Sequence, residues 1–323
     1  MRPSSLLTAA VATTILFAAP ACGRNPQNAA GTNTPTQADA SAPRAAATSR
    51  FTLPTAAVDG IRTDELSGLA WDEDEQLLYA VSDQGYVFHF HLKLDGNAIV
   101  AVEPVHAAAL KDADGNAPRK GFNAEGLTVR NADNGKPGDT EMVISLEGDQ
   151  PGILRFSPTG IKLGELPVPA PANDVGNYRK KGRGLESVAF HPAHGLMTAP
   201  ESPLLGQPDD RHTLYASEKQ WSFARHAPDS RLKGIDVLAD GKLLVLERTR
   251  VGAKDELAAS LRTVDLAACL PDGICTAEPV AILPTGPDNF EGMTLVDPRH
   301  ILLVSDDSGL ASVGTTFVLV PRP

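Results

Sequence analysis

The sequence predicts an all-β fold, a propeller of five four-stranded blades, and three observations carry that reading. A short phrase recurs through the chain. Short apolar runs separated by turn residues follow each copy. The last unit is one strand short, and an unused strand precedes the first. The repeat is read first, because a missed period misreads the whole fold.

The clearest copies are Glu125-Gly126-Leu127-Thr128-Val129 and Glu291-Gly292-Met293-Thr294-Leu295. Apolar runs that end in serine and acid follow them, at residues 142–147 and 301–307. Looser copies begin at Glu65, at Glu186 and around Gly234-Ile235-Asp236. With Glu65, Glu125, Glu186, Asp236 and Glu291 as lead acids, the copies lie 60, 61, 50 and 55 residues apart.

Within unit one, runs at 66–71, 77–82, 86–92 and 99–105 alternate with turns such as Asp95-Gly96. Short strands at this spacing form a meander, not a βαβ unit. Residues 107–114 are expected to make a brief helical excursion. Unit two repeats the layout at 126–130, 141–146, 152–156 and 162–167. Unit three starts at Glu186, continues at 195–198, 213–217 and 221–225, and holds a polar loop at 204–212. Unit four runs from Gly234 through 242–247, 261–266 and 279–283, with a solvent-facing insertion at 250–260 expected as helix. Unit five has strands at 292–296, 301–305 and 315–320, and there the chain ends. The spare strand at Phe51-Thr52-Leu53 completes that last blade and removes an open sheet edge. Six blades are the alternative if residues 171–181 or 227–232 fold as strands.

The 323 residues are 42% hydrophobic, enough for a sizeable core. Forty acids against 29 bases give a formal charge of -11. That balance argues against nucleic acid and anionic lipid surfaces as partners and suits cations. The chain is expected to be a monomer. Residues 1–21 read as an export signal, with basic Arg2, a short apolar stretch at 6–19 and a close of small residues. The Ala21-Cys22 ending resembles a bacterial lipoprotein cleavage site, so Cys22 is expected to carry lipid and hold the protein at a bacterial membrane. Gly23 stands where retained inner-membrane lipoproteins often carry aspartate, which points to the outer membrane, facing the periplasm. The alternative is an ordinary secretory peptide and a soluble periplasmic or secreted product. Residues 22–50, rich in Ala, Thr, Pro, Asn and Gln, form a flexible tether, and 51–323 form the propeller domain. Cys269 and Cys275 flank a turn-like loop, and in an exported protein a local disulfide is expected.

In a propeller the first strand of each blade lines the central channel. The lead acids are therefore expected as a ring at one mouth, with Asp83, Glu147, Glu201, Glu247 and Asp306 as a second acidic layer. Calcium takes oxygen ligands and fits such a ring. Glu65, Glu125, Asp236, Glu291 and Asp306 are its candidate ligands. If the site is catalytic, Glu125, Glu186 and Glu291 are the candidate acids. Arg183 and Arg248, beside the repeated phrases, would orient an oxyanion by paired hydrogen bonds. The competing reading is that each acid caps backbone N–H groups of its own blade. The chain has no Gly-x-Ser-x-Gly elbow, and its histidines are scattered, so nucleophilic and zinc chemistry lack a motif.

The phrases Glu65-Leu66-Ser67-Gly68-Leu69-Ala70, Asn123-Ala124-Glu125-Gly126-Leu127, Arg183-Gly184-Leu185-Glu186-Ser187 and Asn289-Phe290-Glu291-Gly292-Met293 resemble the family described as having esterase-like activity of phytase. The likeness spans about residues 51–319. It implies a secreted or periplasmic β-propeller hydrolase acting on a small anionic ester, with phosphate and carboxylic esters both open. The alternative is a propeller that binds a cation or an envelope glycan without turnover. The calcium ligands of alkaline β-propeller phytases do not carry over, because the Glu-Gly-Leu phrase is not their metal signature.

Overall fold

In the computed structural model the described residues are 48–322, apart from 55, 118–121, 149, 181–182, 253–255 and 309–313. The expected signal peptide, Cys22 and most of the expected tether lie outside them.

The described chain forms five blade sheets that follow one another in sequence, their consecutive strands antiparallel, and a small two-stranded sheet, Ala57–Val58 with Ile61–Arg62. Blade 1 is Leu66–Asp72, Leu77–Ser82, Tyr86–Asp95 and Ala98–Ala109. Blade 2 is Ala124–Arg130, Glu141–Leu146, Gly152–Phe156 and Lys162–Leu166. Blade 3 is Leu185–His191, Gly195–Pro200, Arg211–Tyr215 and Gln220–Ala224. Blade 4 is Arg231–Val237, Leu243–Val251, Glu256–Val264 and Ala277–Ile282. Blade 5 is Asn289–Asp297, His300–Asp306 and Thr315–Pro321, completed by Ser49–Leu53 from the other end of the chain.

That closure holds in the predicted place, with Phe51 opposite Phe317 and Leu53 opposite Thr315. Arg50 adds an ion pair to Asp288 at 2.6 Å. The hydrophobic core is not one mass but five clusters, one at each seam between neighbouring blades. Leu66, Leu78, Phe88 and Phe90 of blade 1 meet Leu302, Val304, Phe317 and Leu319 of blade 5 at the closing seam. A strand covered on both faces reads as a continuous apolar run. His300–Asp306, with six of its seven residues buried, has that form. The outer strand Lys162–Leu166 alternates instead between intermediate and exposed residues.

Three details depart from the sequence reading, and its six-blade alternative is not met. Residues 107–109 extend the fourth strand of blade 1, with no helix over 107–114. The described part of 250–260 belongs to two long paired strands in which Val251 faces Glu256. The described residues 171–180 supply no extra blade: they follow a cis Ala170–Pro171 bond and hold a short 3-10 turn, Val175–Asn177. Blade 3 gains a fifth strand, because Ile274–Cys275 from the blade 4 loop pairs in parallel with Gln220–Ala224. Cys269 and Cys275 are joined by a disulfide in that loop, which thereby covers an otherwise open edge.

Candidate functional site

The innermost strand of every blade breaks register at the same place. The shifts fall between Leu66 and Gly68, Ala124 and Leu127, Leu185 and Ser187, Leu232 and Gly234, and Phe290 and Gly292. Such bulges re-aim a side chain out of the pleat. The residues they carry are Ser67, Glu125, Glu186, Lys233 and Glu291. A glycine or serine follows each, where inner strands crowd together. A Cβ on Gly68 would lie 2.4 Å from Glu125 O, and one on Gly126 2.6 Å from Ser187 Cα. The recurring Glu-Gly thus has two causes, a side chain turned by the bulge and a backbone that must approach its neighbour.

The second ring comes from residues within or just past the mouth end of the second strands. Asn289 opposes Asp306, and Arg231 opposes Arg248. In the equivalent places Asp83, Glu147 and Glu201 donate their N–H groups to the carbonyls of Glu65, Asn123 and Gly184, at 3.2, 2.9 and 3.2 Å. Blade 4 is therefore the exception in both rings, carrying Lys233 and Arg248 where the other blades carry acids or serine.

This placement corrects the alignment on lead acids in two units. Asp236 lies three residues beyond Lys233, away from the acid-rich mouth. It accepts from Leu295 N at 2.8 Å and Val237 N at 2.7 Å and lines a different cavity, of about 530 Å³. Glu65 lies two residues before the ring position, and its N–H donates to Asp307 Oδ1 at 3.0 Å. Glu247 precedes the second-ring position by one residue, which turns its side chain to the other face of the blade. There it is fully buried between blades 3 and 4, held by His212 Nε2 at 3.0 Å, Ser230 Oγ at 2.8 Å and Arg262 Nε at 2.7 Å. His212, Arg262 and the His226 N–H outweigh its burial and hold its carboxyl at about 2.

Glu125, Glu186, Glu291, Arg183 and Arg248 do come together at the mouth. Its centre is the buried ammonium of Lys233, in direct contact with Glu186 and 3.1 Å from both Glu201 Oε1 and Glu291 Oε1. Arg248 Nη1 lies 2.6 Å from Glu291 Oε1 and also bonds Asn289. Arg183 Nη1 donates to Glu201 Oε2 at 2.8 Å, and Arg231 reaches Glu201 at 3.3 Å. Asn289 Nδ2 ties Glu291 to Asp306, at 3.0 Å each. Glu147 accepts from Asn123 Nδ2 at 2.8 Å and Gly184 N at 2.9 Å. These acids act across blades, so the reading in which each serves its own blade is incomplete.

The acids divide by charge state. Burial would raise Glu201, yet Lys233, Arg231 and Arg183 outweigh it and hold the carboxyl at about 2. Lys233 and Arg248 likewise overcome burial and lower Glu291. Burial, with Glu186 and Glu291 close by, pushes Glu125 well up. Burial and the surrounding acids also raise Glu186 in spite of its contact with Lys233. Asp83 is pushed up to about 7, first by burial and then by Glu65. Lys233 stays charged, because Glu186, Glu291 and Glu201 outweigh its burial.

Among the described residues, no group of three or more His, Cys, Asp or Glu side chains is arranged to hold a metal ion. Of the five residues expected as calcium ligands, Glu125, Glu291 and Asp306 line one cavity, with Lys233 beside them; Glu65 and Asp236 do not line it. The cavity measures about 460 Å³, and its lining is carboxylate, amide, guanidinium, ammonium and hydroxyl except at Leu257 and Pro287. Sequence reasoning gave Ser67, Lys233, Arg231, Asn123 and Asn289 no place in the rings. Aligning on the small residue instead of the acid recovers the first two, in Ser67-Gly68-Leu69 and Lys233-Gly234-Ile235. Among the described residues no helix is long and apolar enough to cross a membrane.

A family model described as "Phytase-like: Esterase-like activity of phytase" matches residues 61–309. No curated protein matches the chain. Among solved structures, an endo-arabinase from Bacteroides thetaiotaomicron is 13% identical over 84% of this chain and 97% of that one, with a TM-score of 0.48. The luciferin-regenerating enzyme is 12% identical over 85% and 97%, with a TM-score of 0.43. A gluconolactonase from Xanthomonas campestris is 15% identical over 85% and 89%, with a TM-score of 0.40.

Proposed function

We propose that this chain, which belongs to the family described as Esterase-like activity of phytase, is a cell-envelope propeller whose charged mouth binds a polyhydroxylated ligand, a glycan, without turning it over. The observation that carries this reading is the lining of the mouth. Its carboxylates, amides and guanidinium groups offer acceptors and donors side by side, as a sugar with many hydroxyl groups requires. The central cationic place is taken by Lys233, so the deepest acids are compensated from within the protein. The buried ion pairs hold the polar lining in fixed positions before any ligand arrives.

Calorimetric titration against a panel of neutral oligosaccharides tests the reading. Saturable binding that Asn289→Ala and Glu147→Gln each weaken is the expected result. Failure of every glycan to bind would discard it.

Hydrolysis is the second reading, favoured by the split in charge state. Glu125, whose carboxyl is pushed well up, shares a cavity with Glu201 and Glu291, whose carboxyls are held down. A carboxylic acid beside carboxylates can divide the acid and base work on one water. Phosphate monoesters, phytate and short-chain carboxylic esters, assayed with calcium and with chelator, decide between the two. Turnover that disappears in both Glu125→Gln and Glu291→Gln would establish a hydrolase. The location that fits the glycan reading is the periplasmic face of the outer membrane, through lipid on Cys22.

A further inference from the structure

Beside the mouth a second cleft of about 300 Å³ runs between loops of blade 3 and the inner strands of blade 4. Six arginines and Lys180 line it, against two aspartates, in a chain of formal charge -11. Most of that positive charge is compensated: Arg179 pairs with Asp209, Arg183 and Arg231 both grip Glu201, and Arg248 holds Glu291. Arg225 is different. Its Nη1 donates to Pro228 O at 2.8 Å, while its buried Nε has no hydrogen-bond partner. Burial weakens its hold on its proton, only partly offset by the nearby Asp209, Asp229 and Glu247. Guanidinium groups gathered around a buried unmatched donor are stabilised by an anion between them.

We propose that this cleft binds a carboxylate borne by the ligand of the mouth, so that the ligand is an acidic glycan containing uronate residues. The proposal rests on the glycan reading above. The choice of carboxylate follows from the surroundings. The cleft shares Arg183, Arg231 and Arg248 with the acid-rich mouth, where Glu147, Glu201 and Glu291 lie. A phosphate brings nearly two negative charges to that border, and a uronate brings one. The same wall already shows the grip required, since two arginines converge on the Glu201 carboxylate at 2.8 and 3.3 Å. Successive uronates also space their charges by a sugar ring, which leaves neutral hydroxyls to meet the mouth.

The test compares a trimer of galacturonic acid, the neutral galactose trimer and inorganic phosphate by calorimetric titration of the whole chain. The acidic trimer is expected to bind about tenfold more tightly than the neutral one at low ionic strength, with the advantage shrinking as salt screens it. Arg225→Gln and Lys180→Gln, outside the mouth, should each reduce that preference and leave the neutral trimer unaffected. Lys180 is exposed, so its variant reports on charge even if loss of the Arg225 bond disturbs its loop. Equal affinity for the two trimers overturns the proposal and leaves the glycan reading standing. So does tighter binding of phosphate than of the acidic trimer, or an unchanged preference in both variants. If neither trimer binds, this proposal falls, and the glycan reading falls with it only if every neutral oligosaccharide of the panel also fails to bind.

Discussion

Lys233 Nζ lies 3.1 Å from Glu291 Oε1 across the seam between blades 4 and 5, and both side chains stand on register bulges at matching points of their blades. The same ammonium contacts Glu186 and Glu201 of blade 3. One side chain therefore compensates acids from two neighbouring blades, and the ring depends on it electrostatically.

Removing that cation leaves buried carboxylates facing one another. Lys233→Met should destabilise the domain by about 3–5 kcal/mol, the usual cost of orphaning a buried charge. Adding Glu186→Gln should restore part of the loss, because the two residues are coupled. Urea denaturation of the single and double variants checks this; a Lys233→Met protein as stable as the parent would contradict it.

Asp83 provides a pH test. Its folded carboxyl is pushed up to about 7, above the value of about 3.9 in an unfolded chain. Below the unfolded value both states are protonated, and Asp83 costs nothing. As pH rises from about 4 to about 7 the unfolded state ionises first, and stability is lost. Asp83→Asn should therefore raise the melting temperature at pH above about 7, with the gain fading toward pH about 4. Glu201, held at about 2, acts oppositely. Its contribution is present above the unfolded glutamate value of about 4.3 and disappears as pH falls toward about 2. In Glu201→Gln the shortfall in melting temperature should accordingly narrow across that acid window. Melting curves across pH check both signs.

Closure by Ser49–Leu53 is the third test. Deleting residues 48–56 uncovers the edge of Thr315–Pro321 and removes Leu53 from the seam with blade 1. The shortened protein should melt earlier and self-associate through the open edge. Thermal unfolding and size-exclusion chromatography measure the two effects; a monomer with unchanged melting would count against the closure argument.

Cys22→Ser tests the anchor. The variant should leave the membrane fraction and collect in the soluble periplasmic fraction, as fractionation and immunoblotting would record. Retention in the membrane would rule out lipid on Cys22 as the attachment.

The blade number, strand order and ring closure were legible in the chain because local chemistry writes them. Apolar runs such as 301–304 mark inner strands, turn pairs such as Asp95-Gly96 separate them, and an unfinished last unit calls for Phe51-Thr52-Leu53. Glu125, Glu186 and Glu291 were also readable as neighbours, because each precedes the glycine or serine at which the inner strands converge. Tertiary structure alone decided which residues complete the rings. A bulge adds one residue to a strand, and a shift of one residue exchanges its two faces. Along the second strand of blade 4 that alternation sends Glu247 into the seam with His212 and Arg262 and puts Arg248 in the mouth. The same register gives blade 4 Lys233 as its ring residue and leaves Asp236 bonded to Leu295 at the other cavity. The sign of the charge at the centre of the site follows from that register, which composition and spacing do not encode.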